Sequence, residues 1–110
     1  MSKFEIFKGS NTHFYFRLKS ANGEIILASE GYTTKDNCKN GISSVKSNAT
    51  NDNNFTRFED RAGKPRLNLK AANHEVIGAS QAYSSTQARD KGIDAVKINA
   101  PSAQIIDLTL

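Results

Sequence analysis

The sequence predicts an α+β fold in which two tandem βββα repeats and a C-terminal strand form one antiparallel-rich sheet, with both helices on one face. The first observation is an internal duplication: residues 4–49 align without a gap with residues 55–100, and 17 of the 46 aligned pairs are identical. An internal period of this kind indicates a repeat architecture. The second observation is that the hydrophobic period changes within each repeat, from the two residues typical of a strand to the spacing of a helix.

The two repeats, about residues 1–51 and 52–110, are expected to share one core. A unit of about 50 residues buries too little surface to be more than marginally stable alone. One sheet with both helices on the same face is also the simplest arrangement that buries two apolar helix stripes. We therefore expect residues 1–110 to form a single domain with pseudo-two-fold symmetry, a monomer whose repeats mimic a dimer.

Each repeat begins with three strands. Phe4–Lys8 is a short β-prone run, and Phe14–Lys19 alternates apolar with polar residues. Glu24–Ala28 is expected to return antiparallel to it through a type I′ turn at Asn22-Gly23, because both turn residues tolerate positive φ. The strands predicted in the second repeat are Phe55–Asp60, Arg66–Lys70 and Val76–Ala79.

A helix follows the strands of each repeat. Thr33 with Asp36, and Ser84 with Gln87, have the spacing of N-terminal capping boxes. Apolar residues then recur at helical spacing, which predicts one buried stripe on each helix. The stripe consists of Cys38, Ile42, Val45 and Ala49 in the first repeat and of Ile93, Val96 and Ala100 in the second.

Two repeated features of the helices concern their packing and their ends. Gly41 and Gly92 occupy the same mid-helix position, where glycine costs about 0.5–1 kcal/mol relative to alanine, so we expect a close approach of the helix to the sheet there. Asn48 and Asn99 lie near the helix ends, where asparagine can adopt the left-handed cap conformation.

The chain closes with a strand predicted within Ala103–Leu110. Its apolar residues Ile106, Leu108 and Leu110 alternate and share one face, and we expect Ile106 and Leu108 to be buried. Since each fully buried aliphatic side chain contributes about 1.5–3 kcal/mol, removal of this strand is expected to unfold much of the domain.

Composition and charge exclude several classes of protein. The sequence has no run of 18 apolar residues and no apolar signal core near Met1, so we expect neither a membrane span nor export. The single cysteine, Cys38, cannot form an internal disulfide, which fits a reducing cytoplasm. The net charge of +4 is a mild positive bias, without the dense basic stripe of a committed nucleic-acid binder.

The sequence shows no constellation typical of catalysis or of a metal or cofactor site. His13 and His74 lie at predicted turns without zinc-type spacing, and Cys38 lies on the core stripe without a neighbouring base. We therefore expect no enzyme, no metal and no cofactor. Four polar residues repeat in both halves and point instead to framework hydrogen bonds: Glu24, Glu75, Ser29 and Ser80.

The candidate binding surface is the sheet face away from the helices. Alternation along two strands gathers there Tyr15, Arg17, Lys19, Arg66, Asn68 and Lys70. Cations beside an aromatic ring could hold a single-stranded nucleic acid by its backbone and stack a base. The same face is also expected to carry Ile25, Leu27 and Val76, and a partly apolar face with a polar rim is equally typical of a protein interface. The first hypothesis is that the protein is a non-enzymatic binding or assembly module that acts through this face. The alternative is weak, salt-dependent binding of nucleic acid. A third possibility is that the face is only an ordinary solvent-exposed surface.

The repeated residues also resemble a known family, the YegP-like proteins of bacteria, whose function is unknown. The matching pattern is carried first by Leu18, Lys19, Ala21, Asn22, Glu24, Ile26, Ser29, Tyr32, Gly41, Ile42, Val45, Lys46 and Asn48, and again by the residues 51 positions later. The resemblance implies strand-rich tandem repeats in one sheet, with the strand after each helix exchanged to the other half, and homodimers of the same form in single-repeat relatives. It implies no activity and no catalytic residues.

Overall fold

Seven strands form one sheet in the computed structural model, which describes residues 1–110. The strand order is β4-β5-β6-β3-β2-β1-β7, and every neighbouring pair is antiparallel except β1 and β7, which are parallel. The elements are β1 (Lys3–Lys8), β2 (Phe14–Lys19), β3 (Ile25–Ala28), α1 (Lys35–Asn48), β4 (Phe55–Glu59), β5 (Pro65–Lys70), β6 (Val76–Ala79), α2 (Thr86–Asn99) and β7 (Gln104–Asp107). None of the helices combines the length and the apolarity needed to cross a bilayer.

The two repeats meet at the centre of the sheet and exchange their following strands. Strands β3 and β6 pair there through Ala28 and Ala79, which are equivalent positions of the repeats. Strand β4 follows α1 but pairs with β5, whereas β7 follows α2 and pairs with β1 in the first half. Helix α1 also contacts β5 and β6, and α2 contacts β3. The structure thus confirms the α+β fold with tandem repeats and exchanged strands.

The core lies between the sheet and the two helices, and both repeats contribute to it. Eighteen buried apolar residues form one cluster. The largest fully buried side chains are Phe4, Ile6, Phe16, Leu18, Leu27, Ile42, Leu67, Leu69 and Ile93. Because one contiguous cluster spans both halves, removal of either repeat would expose the apolar side chains of the other.

An irregularity in strand pairing decides which residues of β3 reach the core. The register between β2 and β3 shifts after Leu18, so that Lys19 faces Ile25 and Leu18 faces Leu27. A bulge of this kind inserts one extra residue, and here it leaves both Ile26 and Leu27 buried. The prediction that Leu27 lies on the exposed sheet face is therefore wrong. The same shift occurs between β5 and β6.

Leu27 breaks the symmetry of the repeats at the pseudo-two-fold axis. Its equivalent in β6 is Gly78. A Cβ atom at Gly78 would lie 2.6 Å from Leu27 Cδ2, which is closer than real Cβ contacts. One leucine therefore fills space that two equivalent side chains could not share.

The helix N-caps follow the predicted chemistry with small shifts, whereas the predicted type I′ turn at Asn22-Gly23 is wrong. The helix N-caps are Thr34 and Ser85, one residue after the predicted positions, and each side chain accepts a hydrogen bond from a backbone N–H three residues later. At the first hairpin only Gly23 has positive φ, and its N–H donates to Ser20 O, so the turn is not type I′. His74 takes the position of Gly23 with φ 69°.

The helix ends do not use left-handed asparagines. The C-cap residues are Ala49 and Ala100, both with right-handed φ. The Asn48 and Asn99 side chains donate hydrogen bonds to the carbonyls four residues earlier. The asparagines therefore satisfy late helix carbonyls through their side chains, and the cap prediction is wrong.

Gly41 and Gly92 do mark close approaches, chiefly to tyrosine rings. A Cβ atom at Gly41 would lie 2.8 Å from Tyr32 Cζ, and one at Gly92 would lie 2.7 Å from Tyr83 Cζ. Each tyrosine belongs to the loop between the last strand and the helix of its repeat. The repeated glycine therefore makes room for a repeated tyrosine.

The terminal strand is shorter and less buried than predicted. It ends at Asp107, and Ile106 and Leu108 are 37% and 49% exposed. Backbone pairing with β1 and polar contacts hold it instead, including an ion pair of 2.9 Å between Lys35 Nζ and Asp107 Oδ2. Burial of its apolar side chains is therefore a minor part of its attachment.

Candidate functional site

The six predicted surface residues lie on the outer face, which is the face of the sheet opposite the helices. They alternate along β2 and β5 with buried core residues, and all six are half-buried. Strands β3 and β6 separate them into two rows. The first row is Tyr15, Arg17 and Lys19, and the second is Arg66, Asn68 and Lys70.

The first row is organised by Glu5, a residue that the sequence reasoning missed. Its side chain is only 8% exposed and lies within ion-pair distance of three cations: Arg17 Nε at 2.8 Å, Lys19 Nζ at 3.1 Å and Lys3 Nζ at 3.5 Å. The hydrogen bond from Arg17 outweighs burial and holds the pKa of Glu5 below its usual range. The alternation along β2 could not reveal Glu5, because its position directly across from Arg17 depends on which strand lies beside β2. We call these four residues the Glu5 cluster.

Tyr15, the aromatic residue of the first row, also makes contacts within the protein. The Tyr15 ring stacks on Phe7 with centroids 5.6 Å apart, and its hydroxyl accepts a hydrogen bond of 2.9 Å from Asn11 Nδ2. The Arg17 guanidinium lies 4.5 Å from the centroid of the Phe7 ring. Tyr15 and Arg17 thus stiffen the outer face, and one side of the Tyr15 ring is covered.

The second row leaves two of its side chains free. Arg66 Nε donates to Asp60 Oδ2 at 2.7 Å, and this bond lowers the pKa of Asp60. Asn68 and Lys70 make no side-chain hydrogen bond or ion pair. Lys70 is the equivalent of Lys19, but Thr56 stands where the first repeat has Glu5. The charge cluster therefore exists in one half only.

An apolar groove of about 490 Å³ lies between the two rows, along β3 and β6. We call it the central groove, and its apolar lining includes Ile25, Ala28, Val76 and Ala79. Ile25 and Val76 are 41% and 40% exposed. The strand register places Lys19 beside Ile25 and Lys70 beside Val76, so each exposed apolar side chain has a lysine as its neighbour.

The repeated serines are framework groups, as predicted. Ser29 Oγ accepts from Phe16 N at 2.9 Å, and Ser80 Oγ accepts from Leu67 N at 3.0 Å. Each hydroxyl also donates to the carbonyl of the next residue. The same expectation is wrong for Glu24 and Glu75, whose carboxylates make no hydrogen bond or ion pair.

The groups that usually carry catalysis are buried or isolated. Cys38 is fully buried, and desolvation raises its pKa to about 11, so the thiol stays protonated near neutral pH. No group of three His, Cys, Asp or Glu side chains is arranged to hold a metal ion. His13 lies beside Asn11, and His74 forms part of a turn.

Comparison with known proteins supplies the family. The sequence model described as "Domain of unknown function (DUF1508)" matches twice, over residues 10–55 and 60–107. The chain belongs to the DUF1508 family. Each DUF1508 match contains the second and third strands and the helix of one repeat, and together the two matches cover most of the chain.

Curated relatives of this DUF1508 chain come from bacteria. A protein described as "UPF0339 protein in ptx operon 5'region" from Stutzerimonas stutzeri is 50% identical over 105 residues, covering 96% of this chain and 95% of the relative. The UPF0339 protein YegP of Escherichia coli (strain K12) is 45% identical over 106 residues, covering 96% of each chain.

Two solved structures share the DUF1508 fold seen here. The solution NMR structure of UPF0339 protein SO3888 from Shewanella oneidensis has a TM-score of 0.92 and 48% identity, covering 97% of this chain and 91% of that one. The solution NMR structure of yegP from E. coli has a TM-score of 0.93 and 44% identity, covering 97% and 92%. The E. coli protein is described as a protein of unknown function, so these DUF1508 relatives do not indicate an activity.

Proposed function

We propose that this DUF1508 protein is a small non-enzymatic binding or assembly module that acts in the cytoplasm, and that another protein docks on its outer face. The observation that carries the proposal is the central groove, which exposes Ile25 and Val76 between two rows of polar side chains. An apolar centre with a polar and charged rim is the usual anatomy of a protein interface.

The charges around the groove favour a partner with acidic residues flanking an apolar segment. The Glu5 cluster has three cations and one anion, so it keeps a net charge of +2. Lys70 adds an unpaired positive charge on the other side. Glu30 is the one acidic residue in the groove lining. Complementary charge would steer such a partner to the groove and fix its orientation.

Single-stranded nucleic acid is the competing partner class, and the net charge of +4 is what favours it. The geometry fits it less well, because Arg17 and Arg66 are each bound to a carboxylate and Tyr15 is stacked on Phe7. Stacking platforms for single strands need aromatic rings that are open to the bases. The protein partner is therefore the stronger proposal.

A paired substitution tests the role of the groove. Ile25→Thr with Val76→Thr removes the exposed apolar surface and keeps β-branched residues that suit a strand. The control is Ile98→Thr, a single change of the same type at an exposed position of α2. In affinity capture from host lysate, we expect one set of proteins to bind the parent and the control but not the groove variant, with or without nuclease.

Two results would contradict the proposal. One is a captured set that is the same for the groove variant and the control. The other is capture that disappears on nuclease treatment, accompanied by a low-salt fluorescence titration in which single-stranded oligonucleotides bind and added salt releases them. Melting curves of the three proteins establish that all are folded.

A further inference from the structure

A second cavity, of about 470 Å³, lies away from the outer face, between α2, the hairpin that joins β2 to β3, and the loop after β6. We call it the Tyr83 cleft. Its lining includes Ser20, Glu24, Ile26, Tyr83, Lys91 and Ala95. Its volume falls within the range of about 300–1,000 Å³ that is typical of small-molecule sites. The proposed docking of a protein on the outer face makes no use of it.

The cleft combines an apolar floor with two opposite charges that have no partner. Ile26 is buried, and the alanine side chains of α2 lie beside it in the lining. The Glu24 carboxylate and the Lys91 ammonium make no ion pair and no hydrogen bond with each other or with other residues. Glu24 lies on the hairpin and Lys91 on α2, and both are exposed. An unpaired anion and an unpaired cation at the same cleft suit a ligand that carries both charges.

Tyr83 also lines the cleft and lacks a hydrogen-bond partner for its hydroxyl. Its hydroxyl packs against Gly92 and makes no hydrogen bond with the protein. Burial, and secondarily the nearby charge of Glu24, raises the pKa of Tyr83. The hydroxyl therefore stays protonated at neutral pH and can donate a hydrogen bond inside the cleft.

The other repeat shows that the fold alone does not produce this cleft. It has the same tyrosine and glutamate, Tyr32 and Glu75, but Asn40 replaces Lys91 and Ser44 replaces Ala95. Neither of the two cavities of the structure lies at that position. Lys91 and Ala95 are thus particular to this cleft, whereas Ile26 has a buried counterpart in Ile77.

We propose that the Tyr83 cleft binds a small zwitterion, an α-amino acid with an aliphatic side chain. Lys91 receives the ligand carboxylate, Glu24 receives the ammonium group, and the aliphatic side chain lies on Ile26 and Ala95. Each charge of the ligand then meets the opposite charge of the protein, which a simple amine, acid or hydrocarbon could not achieve.

NMR titration of the ¹⁵N-labelled protein with L-leucine tests the proposal. We expect amide shifts to concentrate around Glu24, Tyr83 and Lys91. Leucinamide, which lacks the carboxylate, and N-acetyl-leucine, which lacks the ammonium group, should each bind about two- to fivefold more weakly, because each loses one ion pair with an exposed side chain. Lys91→Asn reproduces the residue of the other repeat and should reduce the affinity for leucine to that for leucinamide.

The control variant is Lys39→Asn, which makes the same charge change on the exposed surface of α1 and should leave binding unchanged. Glu24→Gln should abolish the preference for leucine over N-acetyl-leucine. The proposal is wrong if L-leucine causes no localised shifts at millimolar concentration. It is equally wrong if Lys91→Asn and Lys39→Asn have the same effect, since binding would then depend on total charge alone.

Discussion

Replacing Gly41 with alanine places a methyl group against two aromatic rings. The new Cβ would lie 2.8 Å from Tyr32 Cζ and 3.0 Å from Phe16 Cε2, and closer still to the Tyr32 hydroxyl oxygen. The two rings are stacked on each other with centroids 6.2 Å apart, and Phe16 is fully buried. The Phe16 ring therefore cannot move without disturbing the core, and the half-buried Tyr32 ring is packed against it.

The expected magnitude follows from two opposing contributions. Overpacking of a core costs about 1–3 kcal/mol, whereas alanine in place of a helix glycine returns about 0.5–1 kcal/mol. At the midpoints of these two ranges, the net loss in the free energy of unfolding is about 1.2 kcal/mol. For a domain of this size that loss lowers the melting temperature by about 5–10 °C.

Thermal melts of three variants separate packing from helix propensity. Gly41→Ala should melt lower than the parent, and Ser43→Ala, at an exposed position of the same helix, should melt at the same temperature or slightly higher. In a Tyr32→Leu background, Gly41→Ala should cost less, because the ring that it strikes is gone. If Gly41→Ala melts at or above the parent temperature, Tyr32 swings away freely and the glycine is not required by packing.

Three further predictions concern the charges and the final strand. Hydrogen bonds from Thr109 and Lys35 lower the pKa of Asp107 from 3.8 to about 2. The contribution of the Asp107 carboxylate to the stability of the fold is therefore complete above about pH 4 and is lost as the pH falls toward 2. In Asp107→Asn, the melting temperature should depend less on pH over that interval. Glu5→Gln leaves three cations close together, so it should lower the melting temperature at low salt and recover partly when salt is added. Deletion of residues 104–110 should lower the melting temperature by removing the pairing with β1, and an unchanged melting curve would contradict the exchanged-strand fold.

Most of the framework could be predicted from the sequence because the duplication repeats its apolar periods. The alternation in Phe14–Lys19 and the helical stripe through Ile42 and Val45 each survive in the second copy, so the elements and their burial follow from spacing alone. The fate of Leu27 could not be predicted in this way. A bulge changes the face of the sheet to which a side chain points, and no residue in β3 indicates that a bulge is present.

The charge pairs of the candidate face were also beyond the sequence pattern, for a different reason. Alternation predicts that Arg17 and Lys19 share a face, but it does not say which strand lies beside them. Because β1 lies beside β2, Glu5 stands opposite Arg17. It therefore binds cations that the alternation along β2 alone had suggested were free to contact a ligand. A prediction of a binding face from one strand therefore overestimates its free charge until the adjacent strand is known.

The candidate sites lie near positions where the two repeats differ, and this follows from how a duplicated fold is built. Residues that both copies share, such as Tyr32 with Tyr83, maintain packing that each half requires. Residues that only one copy has are free of that requirement. Glu5 against Thr56 gives the outer face a charge cluster on one side, and Lys91 against Asn40 gives one cleft an unpaired cation. Exchanging Lys91 and Asn40 between the repeats should therefore leave the fold intact and transfer the cation, so that the effect on leucine binding distinguishes a built site from a by-product of the scaffold.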